Sequence, residues 1–362
     1  MKRLIALSLV LILVLCGCGS EPAPTEPSTQ ATTEPTAEPT TEPTTEPTEP
    51  PVLYRNPLNG EPMDTAYTGR PTAVVINNLK DALPHHGVGD ADFLYELETE
   101  GGITRMLAVY SDLSNTGSIG PVRSARTFFN NIAVSYNAPI VHCGGSVRGI
   151  SGYHNIDGGK IESWAHVNEQ NDGSYFFRDE DRYYYQGYNW EHTLFTNGEK
   201  LLKAMEKKEY TSTEAADYGL TFDEEAKLDG FIAEKVTVYF RDHKTSTFTY
   251  DSASGLYIMS QYGGSYKDAN TGEDVSFKNV MVLYTNQWNK HDGHYNRSYY
   301  DLVGEGEGYL AINGEIAKIK WSREDLNKPF VYTLEDGTPV TFGVGHTYVG
   351  IASAKSDPVE YQ

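Results

Sequence analysis

Apolar and polar positions divide the 362-residue chain into an apolar start, a polar spacer and a long folded part. Residues 4–15 form an apolar run that is interrupted only by Ser8. Residues 20–51 contain, apart from proline, no apolar side chain larger than alanine, so they cannot form a core. From Val52 onward, short apolar runs separated by turn residues predict folded structure.

The first half of the folded part combines the patterns of strands and helices. Apolar and β-branched runs predict strands at residues 71–77, 93–100, 103–110 and 138–143. Gly101-Gly102 predicts a two-residue hairpin between the second and third of these strands. Apolar residues at helical spacing predict helices over residues 122–136 and 196–208. We therefore expect a mixed α/β domain at residues 52–220.

The second half has the pattern of an all-β domain at residues 221–362. Short β-branched and aromatic runs alternate with turn signals such as Asn313-Gly314. The predicted fold class is therefore α+β, with the α/β domain followed by an antiparallel sandwich or barrel-like domain. Strands are predicted at residues 236–240, 248–250, 280–284, 309–312, 317–321, 330–332 and 347–351.

The apolar start has the features of a lipoprotein signal. Lys2 and Arg3 precede an apolar run that is too short to span a bilayer. The run ends in residues 15–18, Leu-Cys-Gly-Cys, which resemble a bacterial lipobox with Cys18 as the lipidated residue. Residues 1–18 are predicted to be this signal peptide, with an ordinary secretory signal as the alternative. We expect a lipid-anchored protein on the extracytoplasmic face of the cell membrane, held in the bilayer by an N-terminal diacylglyceryl group.

The spacer at residues 19–51 is rich in threonine, glutamate and proline, and its regular prolines exclude a helix. It is predicted to be a disordered low-complexity linker. In polyproline II form it would extend on the order of 100 Å, far enough to carry a domain away from the membrane surface.

Composition excludes several classes of function. The formal net charge is −21, which argues against a nucleic acid partner. Three cysteines exclude a disulfide framework and a four-cysteine zinc site, and two of them fall in the signal peptide. Cys143 is expected to be a small buried residue and not a nucleophile. We expect no cofactor and no metal.

The first stretch with candidate chemistry is an acidic strand. Glu96, Glu98 and Glu100 share one face of a strand, and a Gly101-Gly102 turn would place Glu98 opposite Arg105. Glu96 or Glu100 could act as a general acid or base, because same-face neighbours have a separation near that of paired catalytic carboxylates. The alternative is a solvated polar face with an ordinary cross-strand ion pair.

The second stretch is the start of the predicted helix. Arg123, Ser124 and Arg126 lie in its expected first turn, where acidic residues are usual and two arginines need a partner. Backbone N–H groups with two guanidinium groups would suit a carboxylate or phosphate ligand. The alternative is an internal ion-pair network with the glutamates of the preceding hairpin.

The third stretch is the aromatic segment at residues 174–190, which also contains Arg178 and Asp179 and is followed by His192. Aromatic rings among polar groups suit flat ligands such as sugars, or a protein partner. The alternative is a long loop that its own aromatic residues hold in place.

The motifs together resemble the YerB-like lipoprotein family. They comprise Asn56-Pro57-Leu58-x-Gly60, Arg70-Pro71, Ala91-Asp92, Tyr95-Glu96, residues 100–105 (EGGITR), residues 120–126 (GPVRSAR), Asn279-Val280, residues 304–308 (GEGEG), Asn313-Gly314, residues 321–323 (WSR) and Gly337. The resemblance covers residues 56–352 and implies an exported two-part domain without a settled activity. It extends to Glu96, Glu100, Arg105, Arg123, Ser124, Arg126, Arg178 and Asp179. His192 is similar to a family histidine that follows a proline, although Glu191 precedes it here.

We therefore expect a non-catalytic binding or scaffold protein of the cell envelope. Its partner would be an anionic or sugar-bearing ligand such as an envelope glycan, or another protein. The expected ligand-binding residues are Arg105, Arg123, Ser124, Arg126 and Arg178, with Asp179 and His192 in support. The alternative is an envelope hydrolase, in which Glu96 or Glu100 is the acid or base while Arg123 and Arg126 stabilise developing charge.

Overall fold

A computed structural model describes residues 54–145, 165–211, 217–240, 244–291, 296–353 and 358–362. The predicted signal peptide, Cys18 and the linker lie outside these residues. Val52–Gln362 forms one compact unit.

Strands predominate in the described residues. In chain order they are β1 (Tyr54–Arg55), β2 (Pro62–Met63), β3 (Thr72–Asn77), β4 (Phe93–Glu98), β5 (Thr104–Tyr110), β6 (Ser118–Ile119), β7 (Ile140–His142), β8 (His166–Asn168), β9 (Phe177–Arg178), β10 (Leu194–Asn197), β11 (Thr221–Asp223), β12 (Phe231–Ile232), β13 (Lys235–Phe240), β14 (Lys244–Asp251), β15 (Leu256–Gln261), β16 (Gly264–Ser265), β17 (Ser276–Phe277), β18 (Asn279–Thr285), β19 (Gln287–His291), β20 (Asn296–Tyr300), β21 (Gly304–Ile312), β22 (Glu315–Arg323), β23 (Val331–Leu334), β24 (Thr341–Gly343), β25 (Thr347–Ser353) and β26 (Val359–Tyr361). The α-helices are α1 (Thr127–Ser135), α2 (Glu169–Asp172), α3 (Glu180–Tyr184) and α4 (Gly198–Lys207).

One large sheet contains strands from both halves of the folded part. Its order is β12-β22-β21-β18-β25-β4-β5-β3-β7-β8, and β23 pairs with β22. β25 lies parallel to both β18 and β4, so it joins the two halves. Every residue of β25 is buried, as is typical of a strand covered on both faces. The second half is therefore not wholly antiparallel, which corrects that part of the expected fold class.

A smaller sheet of order β16-β15-β14-β13-β26, with β17 on β15, packs on one face of the large sheet. Val74, Leu94 and Met106 of the large sheet share a buried cluster with Val238 and Phe248 of the smaller one. Within the described residues neither sheet closes on itself, so the barrel-like alternative is wrong.

Helix α1 covers the opposite face of the large sheet. Its Phe128, Phe129 and Ile132 are buried against Val75 of β3 and Leu107 of β5. Two apolar cores, one on each face, therefore hold the central strands in place.

Helix α1 begins five residues later than its pattern predicts. Residues 121–125 are instead held as extended chain, because Arg123 N–H donates to Val75 O (2.9 Å) and Cys143 N–H donates to Arg123 O (3.1 Å). Arg126 is the N-cap residue and also has extended backbone. The two arginines therefore precede the helix and do not lie in its first turn, which corrects the expected placement.

The acidic hairpin also differs from its prediction. Its turn is longer, since Glu98 pairs with Thr104 and the turn includes the 3-10 segment Glu100–Gly102. Arg105 is therefore opposite Leu97 and not opposite Glu98. Because side chains alternate along a strand, Arg105 lies on the face of α1, whereas Glu96 lies on the face of the smaller sheet.

Candidate functional site

Most of the predicted ligand-binding residues, together with Glu100, lie at the edge where β3, β7 and β8 end. These three strands are parallel, so their carboxyl ends lie at the same edge, where open α/β sheets commonly bind ligands. Residues 121–125 run along this edge between β3 and β7, and α1 begins there.

Glu100 lies at the centre of an arginine cluster. Arg126 forms a two-point ion pair with it, through Nε to Oε2 (2.8 Å) and through a second close contact between the guanidinium and Oε1. Arg105 approaches Oε1 to 3.5 Å and Arg297 approaches it to 3.6 Å. Three guanidinium groups from three separate parts of the chain therefore share one carboxylate, which is 22% exposed.

The electrostatics of this cluster follow from its charges. Burial alone would raise the pKa of Glu100, but the hydrogen bonds and charge of Arg126, with the charge of Arg105, lower it to about 2. Burial lowers the pKa of Arg105 and the charge of Arg126 adds to that effect. Glu100 is therefore ionised at neutral pH.

Ser124 contributes its backbone to the cluster. Its carbonyl accepts a hydrogen bond from Arg105 Nη1 (2.8 Å), and Arg126 Nη1 lies 3.5 Å from the same oxygen. Arg126 Nη1 also donates to Ala125 O (2.7 Å). The extended segment before α1 thus fixes the directions of both guanidinium groups.

The 3-10 turn Trp190–His192 positions three groups of the site. Trp190 O accepts a hydrogen bond from Arg178 (2.7 Å), and the Arg178 guanidinium carbon lies 4.7 Å from the centre of the Trp190 ring. Glu191 forms a close ion pair with Arg123, which is partly exposed. His192 Nδ1 lies 2.9 Å from Asn77 Nδ2 at the end of β3.

His192 is buried, and burial lowers the pKa of its ring despite the nearby carboxylate of Glu191. The ring is therefore neutral near pH 7, and Nδ1 accepts the hydrogen bond from Asn77. His192 serves to hold this turn against the end of β3.

Arg123 and Arg178 lie on either side of β10. Arg178 pairs with Leu194, and the carbonyl of Leu194 accepts a hydrogen bond from Val122 N–H (2.7 Å). The backbones at Arg178 and Val122 are therefore two strand spacings apart, about 10 Å. The charges of both arginines also act on the thiol of Cys143, so the two side chains lie in the same part of this edge.

Cys143 lies close to the same two arginines. Burial raises the pKa of its thiol, and the neighbouring carboxylate of Glu169 raises it further, to about 11, against the opposing charges of Arg178 and Arg123. Its Sγ lies 3.4 Å from Glu169 Oε2. The thiol is therefore protonated at neutral pH, which is unfavourable for a nucleophile.

Asp179 has a local structural role. Its Oδ1 accepts a hydrogen bond from Arg182 N–H (3.1 Å) and so caps α3. The buried Arg182 donates to Pro84 O (2.6 Å) and to His192 O (3.1 Å). These contacts fix the chain around Trp190 but do not place Asp179 among the arginines.

Glu96 lies apart from Glu100, in a buried network between the two sheets. Lys244 Nζ is 3.2 Å from its Oε1, and both side chains are almost wholly buried. The remaining hydrogen bonds to its carboxylate come from Asn78 (2.8 Å), Thr104 (2.6 Å), Ser246 (2.7 Å) and Tyr348 (2.8 Å). The structure therefore does not bring the two candidate acid/base residues together.

Sequence reasoning missed several residues of these networks. Arg297, Glu191 and Asn77 contact the predicted residues, and Lys244 pairs with Glu96. Glu191 directly precedes the candidate His192, so its charge could have indicated from the sequence that it belongs to the site. Arg297 and Lys244 are distant in sequence and carry no such signal.

No group of three or more histidine, cysteine, aspartate or glutamate side chains in the described residues is arranged to hold a metal ion. No helix in the same residues has the length and apolar character needed to cross a membrane.

Comparisons with known proteins bear out the family resemblance. Residues 58–211 match the family described as "Protein of unknown function (DUF3048) N-terminal domain", and residues 236–349 match its C-terminal domain. A Bacillus subtilis (strain 168) protein named "Putative lipoprotein YerB" is 28% identical over 303 residues, which are 82% of this chain and 85% of that protein. The crystal structure of YerB from Bacillus subtilis superposes with a TM-score of 0.69 at 26% identity, covering 84% of this chain and 99% of that one.

Proposed function

Because the chain belongs to the DUF3048 family of proteins of unknown function, we propose its function from the site itself: it is a lipoprotein that binds an anionic ligand. The ligand would be held at the edge where β3, β7 and β8 end. Arg123 and Arg178 would contact it directly, and the arginine cluster around Glu100 would support them from the more buried side. Cys18 would anchor the protein to the outer face of the cell membrane.

An excess of arginine over carboxylate at this edge carries the proposal. The four arginines are Arg105, Arg123, Arg126 and Arg178. As far as the described residues show, Glu100 and Glu191 are the carboxylates within ion-pair distance of them, and Glu169, beside Cys143, is a third carboxylate nearby. Glu100 is also shared with Arg297. Such a local positive excess is unexpected in a chain of net charge −21, and an anion would balance it.

Arg178 is the most available of these groups. It donates one hydrogen bond, to Trp190 O, and among the described residues it has no carboxylate within ion-pair distance. A guanidinium group has five N–H donors in a planar fork that suits carboxylate and phosphate oxygens. Arg123 has a partly exposed partner in Glu191, so a stronger anion could share or replace that contact.

The hydrolase alternative has weaker support. Glu96 is enclosed by hydrogen-bond donors and has no exposed surface, so a substrate could not reach it. Glu100 has a pKa of about 2, far below the value that a general acid needs near neutral pH. The burial of Glu96 and the low pKa of Glu100 therefore fit a binding role better than a catalytic one.

The proposed anchoring rests on the sequence of the first 18 residues and on the name of the Bacillus subtilis relative, "Putative lipoprotein YerB". The long polar linker would then hold the folded part beyond the headgroups. An extracytoplasmic site for an anionic ligand is consistent with a binding or scaffold role in the cell envelope.

Titration of the full chain in a zwitterionic detergent with inorganic phosphate and with acetate tests the anion site. Arg178→Gln is expected to weaken phosphate binding by about tenfold or more, because a charge-assisted hydrogen bond contributes about 1.5–3 kcal/mol. Arg55→Gln is the matched control, since Arg55 forms a partly exposed ion pair with Glu224 (3.3 Å) away from the site. Failure of both anions to bind the parent protein, or equal effects of the two substitutions, would overturn the proposal.

A further inference from the structure

Three exposed aromatic side chains lie beside the arginines. Tyr183 is 41% exposed, Tyr184 is 64% exposed and Trp190 is 48% exposed. Their rings contact one another edge to face, with centres 5.0 Å apart for Tyr183 and Tyr184 and 5.2 Å apart for Tyr183 and Trp190. We call these three residues the aromatic platform.

The backbone that carries the aromatic platform is firmly held. Arg182 is buried and donates hydrogen bonds to Pro84 O and His192 O. Its guanidinium carbon lies 4.5 Å from the centre of the Tyr188 ring. Asp179 caps the helix that contains Tyr183. Large apolar surface that remains exposed on a well-fixed segment is typical of a binding surface.

The aromatic platform is continuous with the proposed anion site. The Arg178 guanidinium packs on the Trp190 ring, and the next residue, Glu191, pairs with Arg123. A ligand whose anionic group reached Arg178 would therefore have its remaining atoms over or beside Trp190 and Tyr183. The part of the ligand beyond its anionic group must therefore be able to pack on aromatic rings.

We propose that the ligand is an anionic saccharide, with a sugar ring against Trp190 and Tyr183 and a phosphate or carboxylate group bound by Arg178 and Arg123. This inference rests on the proposed function and specifies its ligand. The axial C–H groups of a sugar pack on aromatic faces, while its hydroxyl groups can hydrogen-bond to tyrosine and arginine.

The composition of the segment favours a saccharide over a bilayer or an apolar helix. Residues 180–190 contain five aromatic residues but no leucine, isoleucine, valine or methionine. An apolar helix binds in a hydrophobic groove, and a segment that inserts into lipid combines tryptophan with leucine or phenylalanine, which this segment lacks. The net charge of −21 also opposes adhesion to an anionic membrane surface.

The decisive experiment compares ligands that differ only in the sugar. Calorimetric titration of the full chain in zwitterionic detergent would use inorganic phosphate, glucose 1-phosphate, acetate and glucuronate. We expect one sugar-bearing anion to bind about tenfold more tightly than the bare anion with the same charged group, because ring stacking adds to the ionic contact. The pair that shows this preference identifies the charged group as phosphate or carboxylate.

Substitutions then assign the preference to the aromatic platform. Trp190→Ala and Tyr183→Ala are each expected to remove most of the sugar preference, which is measured as the ratio of the affinities for the sugar-bearing and the bare anion. Tyr183→Phe should retain the preference. Phe231→Ala is the matched control, since Phe231 is also exposed (63%) but contacts Tyr361 and lies on β12, at the end of the large sheet opposite to β8.

The outcomes separate this inference from the proposed function. Bare anions that bind without any sugar preference, or a preference that survives both aromatic substitutions, would overturn the saccharide while leaving the anion site intact. No binding of any anion would overturn both. Binding of phosphatidylglycerol vesicles that is lost in Trp190→Ala, with no sugar preference, would identify the platform as a membrane contact and also overturn the inference.

Discussion

Replacing Glu100 with glutamine removes a carboxylate that three arginines share. Its pKa is about 2 in the folded protein, against an ordinary value near 4.5. The difference of about 2.5 pKa units corresponds to about 3 kcal/mol of folding free energy at neutral pH. The substitution also leaves the guanidinium groups of Arg105 and Arg126 uncompensated, which points to the same order of loss.

The pH dependence identifies the cause of that loss. Because the folded pKa is depressed, the stabilisation is complete above the unfolded value and disappears as the pH falls through the folded value. We expect Glu100→Gln to lower the free energy of unfolding by about 3 kcal/mol at pH 7 and by only about 2 kcal/mol at about pH 3.5.

Urea unfolding of the parent and variant at both pH values measures the effect. Glu224→Gln is the matched control, because Glu224 belongs to an exposed ion pair whose loss should change stability by less than about 1 kcal/mol. A deficit for Glu100→Gln that is the same at both pH values would show that the loss is steric and not electrostatic. A deficit no larger than that of the control would show that the arginines do not depend on Glu100.

Two further predictions concern the network between the sheets and the anchor. Glu96→Gln should lower the free energy of unfolding by about 3–5 kcal/mol, because it leaves the buried charge of Lys244 without its counterion; a denaturant titration that shows less than about 1 kcal/mol would contradict the buried ion pair. Cys18→Ser should abolish incorporation of labelled lipid and release the protein from the membrane fraction, whereas Cys143→Ser should do neither; continued lipid labelling of Cys18→Ser would exclude this anchor.

Local patterns were sufficient for many elements of the fold. Alternation and apolar runs predicted β3, β4 and β5 in nearly their observed positions, because these strands are defined by their own sequences. The proposed internal pairing of Arg126 with the hairpin glutamates also agrees with its contact to Glu100.

The parts of the fold and of the site that were not predicted depend on contacts between residues that are distant in sequence. β25 separates β18 from β4, so its position follows from the topology of the whole chain. Lys244 reaches Glu96 only because the smaller sheet packs on the larger one, and Arg297 reaches Glu100 from β20. The late start of α1 also has a tertiary cause, since residues 121–125 bond to β3 and β7 in preference to forming a helical turn.

The place of β25 in the large sheet has a consequence for how the protein is made. A chain that is delivered from its N-terminus presents β4 and its neighbour β5 long before β25, the second strand that pairs with β4. Tyr348 of β25 also supplies one hydrogen bond to Glu96. Until β25 is available, one edge of β4 is unpaired and the carboxylate of Glu96 lacks one of its hydrogen-bond donors. A truncation that removed β25 would therefore be as damaging as loss of any other central strand, because it would separate β18 from β4 and break the large sheet between its two halves.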